Sequence, residues 1–344
     1  RVLNVAMADL PRAPYQSLTF DLLTDLNVNG EGAAVAKDGK LAGLIMSHDQ
    51  VARIAAMIPY PVIRRFMQDA VKPVYPGSAS AGFFWTTLVD PAKRSYLKVD
   101  APGKGILITS CIPGTGASEV LKPNDVILEW DGHPVDNLGY YDDEDFGRLA
   151  VSYLIKGRRA PGDTIPVKLI RGHAASSVQL RLCYRGDRDA LIPENVLGEP
   201  VSYLVEGGFV ITELTGRYLR AHGADWQHTV DARVVHTYLA AKHAASAVSE
   251  HVVILSGILP DPINIGYQQR FRDEIITAVN GQAVSNMTDV FRIADRDGSL
   301  RRLTLKSVGA DLVLDEDELA VANARLARQY RVPALRYQQK PSSR

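Results

Sequence analysis

Four groups of residues have types that could do chemistry. His222, His228, His236, His243 and His251 fall close together in one stretch. No pair has the i,i+4 spacing that puts two imidazoles on one helix face for zinc, and no cysteine is near. They are expected as surface and loop residues, with no metal site. Asp142-Asp143-Glu144-Asp145 lacks the alternating oxygen ligands and the glycine of a calcium loop. Acidic residues ahead of an apolar stretch suit a helix macrodipole, which predicts a helix over Phe146–Ile155. Ser47, His48 and Asp49 have the residue types of a hydrolytic triad, but triads are assembled in space and adjacent side chains point apart. These three are expected as a polar loop after a strand. Cys111 and Cys183, the only two cysteines, lie in strand-like sequence and are expected as buried free thiols, a bridge being the alternative.

Composition narrows the function classes further. Lys+Arg number 39 and Asp+Glu 39, so no net charge directs the chain to nucleic acid or an anionic membrane. No apolar run approaches the ~20 residues of a membrane span. No motif implies a cofactor. At 344 residues the chain has room for two or three domains. It starts at Arg1 with no leader pattern, so a signal peptide is not expected and the chain reads as a piece of a longer protein.

The elements that must position any site are clearest in Gly105–Gly139. Ile106-Leu107-Ile108-Thr109-Ser110 reads as a strand, Pro113-Gly114-Thr115-Gly116 as a loop, and Ala117–Leu121 as one helical turn. Val126–Trp130 is a second strand closed by an Asp131-Gly132 turn, and His133-Pro134-Val135 restarts an extended piece. Val252–Asn286 repeats this plan, and DVILEWDGHPVDN aligns with EIITAVNGQAVSN without a gap. Repetition at roughly domain length means two modules of one fold. Ahead of them, Val2–Ala6, Leu41–Met46 and Ala55–Pro59 read as strands, with a turn at Asp38-Gly39. Pro61 is placed to start a helix over Val62–Asp69. Ile165–Gly172 and Val178–Leu182 form an alternating hairpin, and Asp315–Glu318 leads a helix to Ala327.

The order of strand, small-residue helical turn, second strand and D/N-G turn resembles a PDZ domain. The leading stretch, with its Asp-Gly turn and the run Ile58-Pro59-Tyr60-Pro61-Val62-Ile63, resembles the end of the trypsin-like barrel of HtrA/Deg proteases. Pro200-Val201-Ser202-Tyr203, Gly207-Gly208-Phe209-Val210-Ile211 and Ile263–Tyr267 resemble the plant-type Deg branch. The resemblance implies a fold of mainly β structure with short helices (α+β): the C-terminal remnant of a protease barrel, then two PDZ-like domains. The implied boundaries are residues 1–72, 73–190 and 191–344, the last carrying a helical insertion from Thr215 to Glu250.

In that family a serine stands in the loop before the Asp-Gly turn. Here the matching residues are Gly30, Glu31 and Gly32, followed by Ala33 and Ala34, and none has a hydroxyl. Acyl transfer needs a nucleophile beside a base, so no catalytic residue is expected. The resemblance assigns carboxylate capture by backbone N–H groups to Ala81, Gly82 and Phe83 with Phe84, and a groove wall to Leu149 and Leu154 on the predicted helix. The function implied is binding of peptide C-termini or unfolded protein segments by an inactive protease homologue in protein quality control or assembly, as a homo-oligomer. The alternative is part of an active Deg serine endopeptidase whose PDZ domains recruit and gate substrates. In the second module Glu206 stands where a ligand carboxylate would approach, which predicts repulsion and a role in assembly.

Overall fold

Alternating apolar and polar side chains shape the first sheet of this computed structural model, which describes all residues except 10–15, 26–31, 101, 195–199, 224, 242–243, 245–249, 268–270, 308–310 and 340–344. Strands β1 (Val2–Asp9), β2 (Gln16–Leu23), β3 (Ala34–Lys37), β4 (Lys40–Asp49) and β5 (Ile54–Pro59) pair antiparallel in the order β1-β2-β5-β4-β3. Ala55 and Met57 of β5 alternate inward with Ile45 of β4. Pro59 caps α1 (Tyr60–Ala70), with a proline in the first turn, where a missing N–H costs nothing.

The chain then builds a second sheet. Its elements are β6 (Ala79–Ser80), β7 (Phe83–Thr86), α2 (Pro91–Tyr96), β8 (Ile106–Cys111), α3 (Gly116–Val120), β9 (Val126–Trp130), β10 (His133–Pro134), β11 (Tyr140–Asp143), β12 (Gly147–Ala150), α4 (Ser152–Lys156), β13 (Thr164–Arg171), β14 (Ala174–Arg181) and β15 (Cys183–Tyr184). The order is β14-β13-β9-β8-β7, with β10 on β9 and β15 on β6. Ile106, Ile108, Ile127, Trp130, Ile165 and Val167 fill its core. Leu18 of β2 joins that core, and the Phe20 ring meets Phe146 edge-on at 5.9 Å. Arg65 of α1 donates to the carbonyls of Gly157 and Arg159. Residues 1–185 therefore form one compact unit and residues 186–344 another.

One expected element differs. Residues 146–155 were predicted to be one helix; they form the strand β12 and only a short helix, α4. The Asp143 carboxylate accepts the N–H groups of Asp145 (3.0 Å) and Phe146 (3.3 Å), which closes a turn between β11 and β12. It also takes the Tyr141 hydroxyl and, at 2.8 Å, Arg158. Burial opposes its charge, but these donors hold its pKa below the ordinary carboxylate value. The acidic run thus anchors a hairpin instead of leading a helix, because the side chain competes for the backbone donors that a helix start would use.

The second unit contains β16 (Tyr203–Glu206), β17 (Phe209–Glu213), α5 (Gly216–Arg220), α6 (Trp226–Thr229), α7 (Ala232–Ala241), β18 (Val253–Ile258), β19 (Glu274–Val279), β20 (Gln282–Ala283), α8 (Met287–Asp297), β21 (Arg302–Leu305), β22 (Asp311–Val313), α9 (Glu316–Gln329) and β23 (Arg336–Tyr337). The sheet order is β22-β21-β19-β18-β17-β16-β23, with β20 on β19. The run β17-β18-β19-β21-β22 repeats β7-β8-β9-β13-β14. The insertion helices α5–α7 have a small core of their own: Leu214, Leu219, Val230, Val234 and Tyr238 pack with Ile254. Asp315 caps α9 by accepting from Asp317 N–H. The fold is α+β, mainly β with short helices.

Candidate peptide-binding sites

The first site is built at the start of β7. Gly82 has φ +76°, in the region that favours glycine. Its carbonyl accepts from Ile112 N at 2.8 Å and faces the Thr115 hydroxyl at 3.2 Å, both behind the strand. A trans peptide points its N–H opposite to its C=O. The Phe83 N–H is thereby aimed away from β8, towards the outer edge, as the pairing of Phe83 with Cys111 requires next to a hydrogen-bonded pair. β7 is the last strand in its sheet. A row of edge N–H and C=O groups with a glycine turn at its head can accept an added strand that ends in a carboxylate.

The residues predicted for this site separate into two groups. Ala81, Gly82, Phe83 and Phe84 are together on the loop and strand; Ala81 and Gly82 are buried, Phe83 and Phe84 half-buried. Phe83 packs on Trp130 at 5.7 Å. Leu149 lies on β12, not on a helix, at 1% exposure, and Leu154 on α4 at 0%. Both belong to the closed core beneath the strand and present no surface to a groove. Sequence reading missed Thr115 and Ile112. The only signal was the Gly114-Thr115-Gly116 loop, whose threonine has no distinguishing pattern until the turn is folded.

The matching corner of the second unit has the same turn and a different edge. Gly208 has φ +87°, and its carbonyl accepts from Leu259 N at 2.8 Å, as Gly82 does from Ile112. Asn264 takes the place of Thr115: its Nδ2 donates to the carbonyls of Gly207 (2.7 Å) and Leu259 (2.8 Å). The outer edge of β17, however, is paired with β16 along Tyr203↔Thr212, Leu204↔Ile211, Val205↔Val210 and Glu206↔Phe209. The chain's own strand occupies the place where a ligand would add.

Glu206 corrects the expected repulsion. Its carboxylate is turned inward, accepting from Leu300 N at 3.1 Å, and burial pushes its pKa up to about 7. Its charge is weakened at neutral pH and engaged with Leu300 N, and β16 is what closes the edge. His251 is likewise not a surface residue. Its Nδ1 lies 3.0 Å from Glu213 Oε2 and its Nε2 2.9 Å from Arg188 O. Burial disfavours the imidazolium, but Glu213 outweighs it and raises the pKa. Glu213 also accepts from Met287 N at the start of α8 (2.8 Å). His222 packs against the Tyr218 ring, and His243 lies outside the described residues. Among the described residues no group of three or more His, Cys, Asp or Glu is placed to hold a metal.

Of the loop expected to be degenerate, Gly30 and Glu31 lie outside the described residues. Gly32 has φ +80° and donates to Ile45 O at 2.8 Å. Asp49 accepts from Val51 N and Ala52 N, each at 2.9 Å, so it shapes a turn. Cys111 and Cys183 are not disulfide-bonded and are half-buried, less enclosed than expected; Cys183 Sγ donates to Ser80 O at 3.6 Å. No helix among the described residues is long and apolar enough to cross a membrane.

Comparison with known proteins agrees with this anatomy. A PDZ domain model matches residues 192–338. The chain is 28% identical over 271 residues to Protease Do-like 2, chloroplastic, of Arabidopsis thaliana, covering 78% of this chain and 43% of that protein. It is 25% identical to Putative protease Do-like 12, mitochondrial, of the same plant, covering 95% of this chain and 58% of that one. The chain thus spans about half the length of the curated relatives it matches. A solved HtrA-type protease with a decapeptide is 19% identical, covers 54% of this chain and 61% of its own, and has a TM-score of 0.36. With a PDZ domain at residues 192–338 and similarity to the Do-like proteases over most of its length, the chain is a PDZ-containing homologue of those proteases.

Proposed function

We propose that the chain is a tandem-PDZ peptide-binding region of three parts, residues 1–72, 73–190 and 191–344, in which the first PDZ-like module captures peptide C-termini and the second does not. The observation that carries this reading is the outer edge of β7 beside the Gly82 turn, which no other strand covers among the described residues, set against the covered edge of β17. A ligand's terminal carboxylate accepts from the backbone N–H of Phe83, a bond contributing roughly 1.5–3 kcal/mol, while the Gly82 N–H donates to Ser80 Oγ at 3.3 Å and braces the turn. Titration with peptides as free acids and as C-terminal amides tests it; equal affinity for both overturns it. Phe83→Asp weakens free-acid binding by about 1–3 kcal/mol through repulsion and lost apolar contact.

The partners proposed are C-termini of unfolded or misassembled proteins, in a quality-control or assembly role, with the α5–α7 insertion available for contacts between copies. Light scattering on the full chain tests the oligomer, and a monomeric mass removes it. Homology to Do-like proteases favours a second reading, part of an active serine endopeptidase. Against it, residues 30–34 hold no hydroxyl, and without a nucleophile only residual rate effects remain. A fluorophosphonate probe should leave the chain unlabelled; a serine adduct with casein cleavage would establish the protease reading.

A further inference from the structure

We infer that Thr115 is a positioning residue for carboxylate capture at β7, an assignment that rests on the binding reading above. Thr115 is at the N-cap of α3, where a threonine hydroxyl ordinarily accepts from the first-turn N–H groups. Here it makes no such bond. The hydroxyl points instead to the carbonyls of Ile112 at 2.7 Å and Gly82 at 3.2 Å, and the residue is buried. A hydroxyl has one proton to donate, so it bridges the two carbonyls, and Ile112 N–H completes the clamp on Gly82. This clamp fixes the plane of the Gly82–Phe83 peptide, and with it the direction of the Phe83 N–H. The packing is close: a Cβ on Gly82 would lie 2.5 Å from Thr115 Oγ1 and 2.7 Å from its Cβ.

The second unit supplies an independent parallel. Asn264, from the equivalent loop after β18, donates to the carbonyls of Gly207 and Leu259. Both side chains thus brace this corner from the loop after the next strand, Thr115 at the carbonyl of the turn glycine Gly82 and Asn264 one residue earlier, at the carbonyl of Gly207. In the second unit the pinned turn serves the chain's own β16; in the first it has an open edge to serve.

The test uses the full chain and a pool of decapeptides randomised at the last four positions, as free acids and as amides. Wild-type protein should prefer the acids. Thr115→Val keeps the shape and removes the hydroxyl, and should cut the acid-to-amide affinity ratio by about tenfold while affinity for the amides stays the same. Thr115→Ser should restore the ratio. A folded Thr115→Val protein with the wild-type ratio overturns the assignment and leaves capture by the loop intact. Equal binding of both pools by the wild type overturns the capture reading and the role of Thr115 with it. Should Thr115→Val lose its near-UV circular dichroism, Thr115→Ser carries the test: a wild-type ratio supports the hydroxyl, and a lost ratio in a folded protein overturns it.

Discussion

The two modules share a strand order and a braced glycine turn, yet in one the outer edge of the strand after the turn carries no further strand among the described residues, and in the other it is filled by the chain's own β16. The cause lies in the residue before the turn glycine. In the second module Gly207 and Gly208 have φ of +55° and +87°. Two successive residues with positive φ make the two-residue turn that matches the twist of a hairpin. β16 therefore doubles back onto β17. In the first module the corresponding pair is Ala81-Gly82, and only Gly82 has positive φ. An alanine pays for that conformation, so the chain arrives from β6, which pairs with β15 instead. One Cβ separates a strand that covers an edge from one that leaves it free.

The sharpest way to break this comparison is to give each turn glycine a Cβ. Gly208→Ala would drive the new methyl into the Leu259 carbonyl and the Asn264 amide. The Leu259 carbonyl is backbone, held by the Asn264 amide at 2.8 Å, and yields little, and positive φ adds strain. A loss of about 3–4 kcal/mol is expected in the denaturant unfolding of the second unit. Gly82→Ala meets only Thr115 side-chain atoms, its Cβ at 2.7 Å among them, and relief needs a small shift of the loop before α3 rather than displacement of a backbone carbonyl, so a smaller loss of about 1–2 kcal/mol is expected. Equal losses would mean that what each new methyl meets, a backbone carbonyl or a side chain, does not set the cost.

Next in size is the buried carboxylate of β16. Burial raises the Glu206 pKa from 4.5 to about 7. A carboxyl that titrates higher folded than unfolded costs nothing below its unfolded pKa and costs progressively more as pH rises towards its folded value. The second unit should lose stability between about pH 4.5 and 7 from this group, by ~2–3 kcal/mol in all. Glu206→Gln should flatten that slope in urea titrations at a series of pH values, leaving other carboxylates to set the remainder. The first unit should not respond. An unchanged slope in the variant would place the Glu206 side chain in solvent and weaken the account of β16 as a buried strand.

The sequence made some of this legible and hid the rest for physical reasons. Strands with strong alternation, such as Thr164–Arg171, and the repeated D/N-G turns were readable because their signal is local. The helix expected at 146–155 failed because Asp143 spends its carboxylate on the backbone of Asp145 and Phe146, a competition that charge patterning alone does not reveal. At the candidate site, the resemblance pointed to Gly82 and Phe83 through a glycine between apolar neighbours, and the structure puts a positive-φ turn at Gly82 ahead of β7. Leu149 and Leu154 were assigned to a groove wall because burial depth is set by the tertiary fold and not by spacing. Glu206 was read as a repelling charge because its inward rotation depends on Leu300, far along the chain. Thr115 and Asn264 carry no local signature; their roles exist only once two loops meet.

The smallest expected effect concerns the far end of the covered strand. β17 ends at Glu213, which accepts from Met287 N at the start of α8 and pairs with His251, while His251 also meets the Arg188 carbonyl. The β16–β17 hairpin is thus fastened at both ends, at Glu206 beside its turn and at Glu213 where β17 ends. Burial works against the imidazolium, but Glu213 overcomes it, so the folded pKa stands above the ordinary 6.5. A group whose folded pKa is raised contributes fully below its unfolded pKa and loses its contribution as pH rises through the folded value. His251→Gln should therefore cost about 1 kcal/mol at pH 6, and the gap to the wild type should narrow by pH 8.5. Amide exchange at Met287 and Glu213 should quicken in the variant at pH 6 while exchange at Phe83 stays as it was. A gap that stays constant across that range would mean the imidazole serves as a neutral hydrogen-bonding wedge, and the second fastening of β17 would owe nothing to charge.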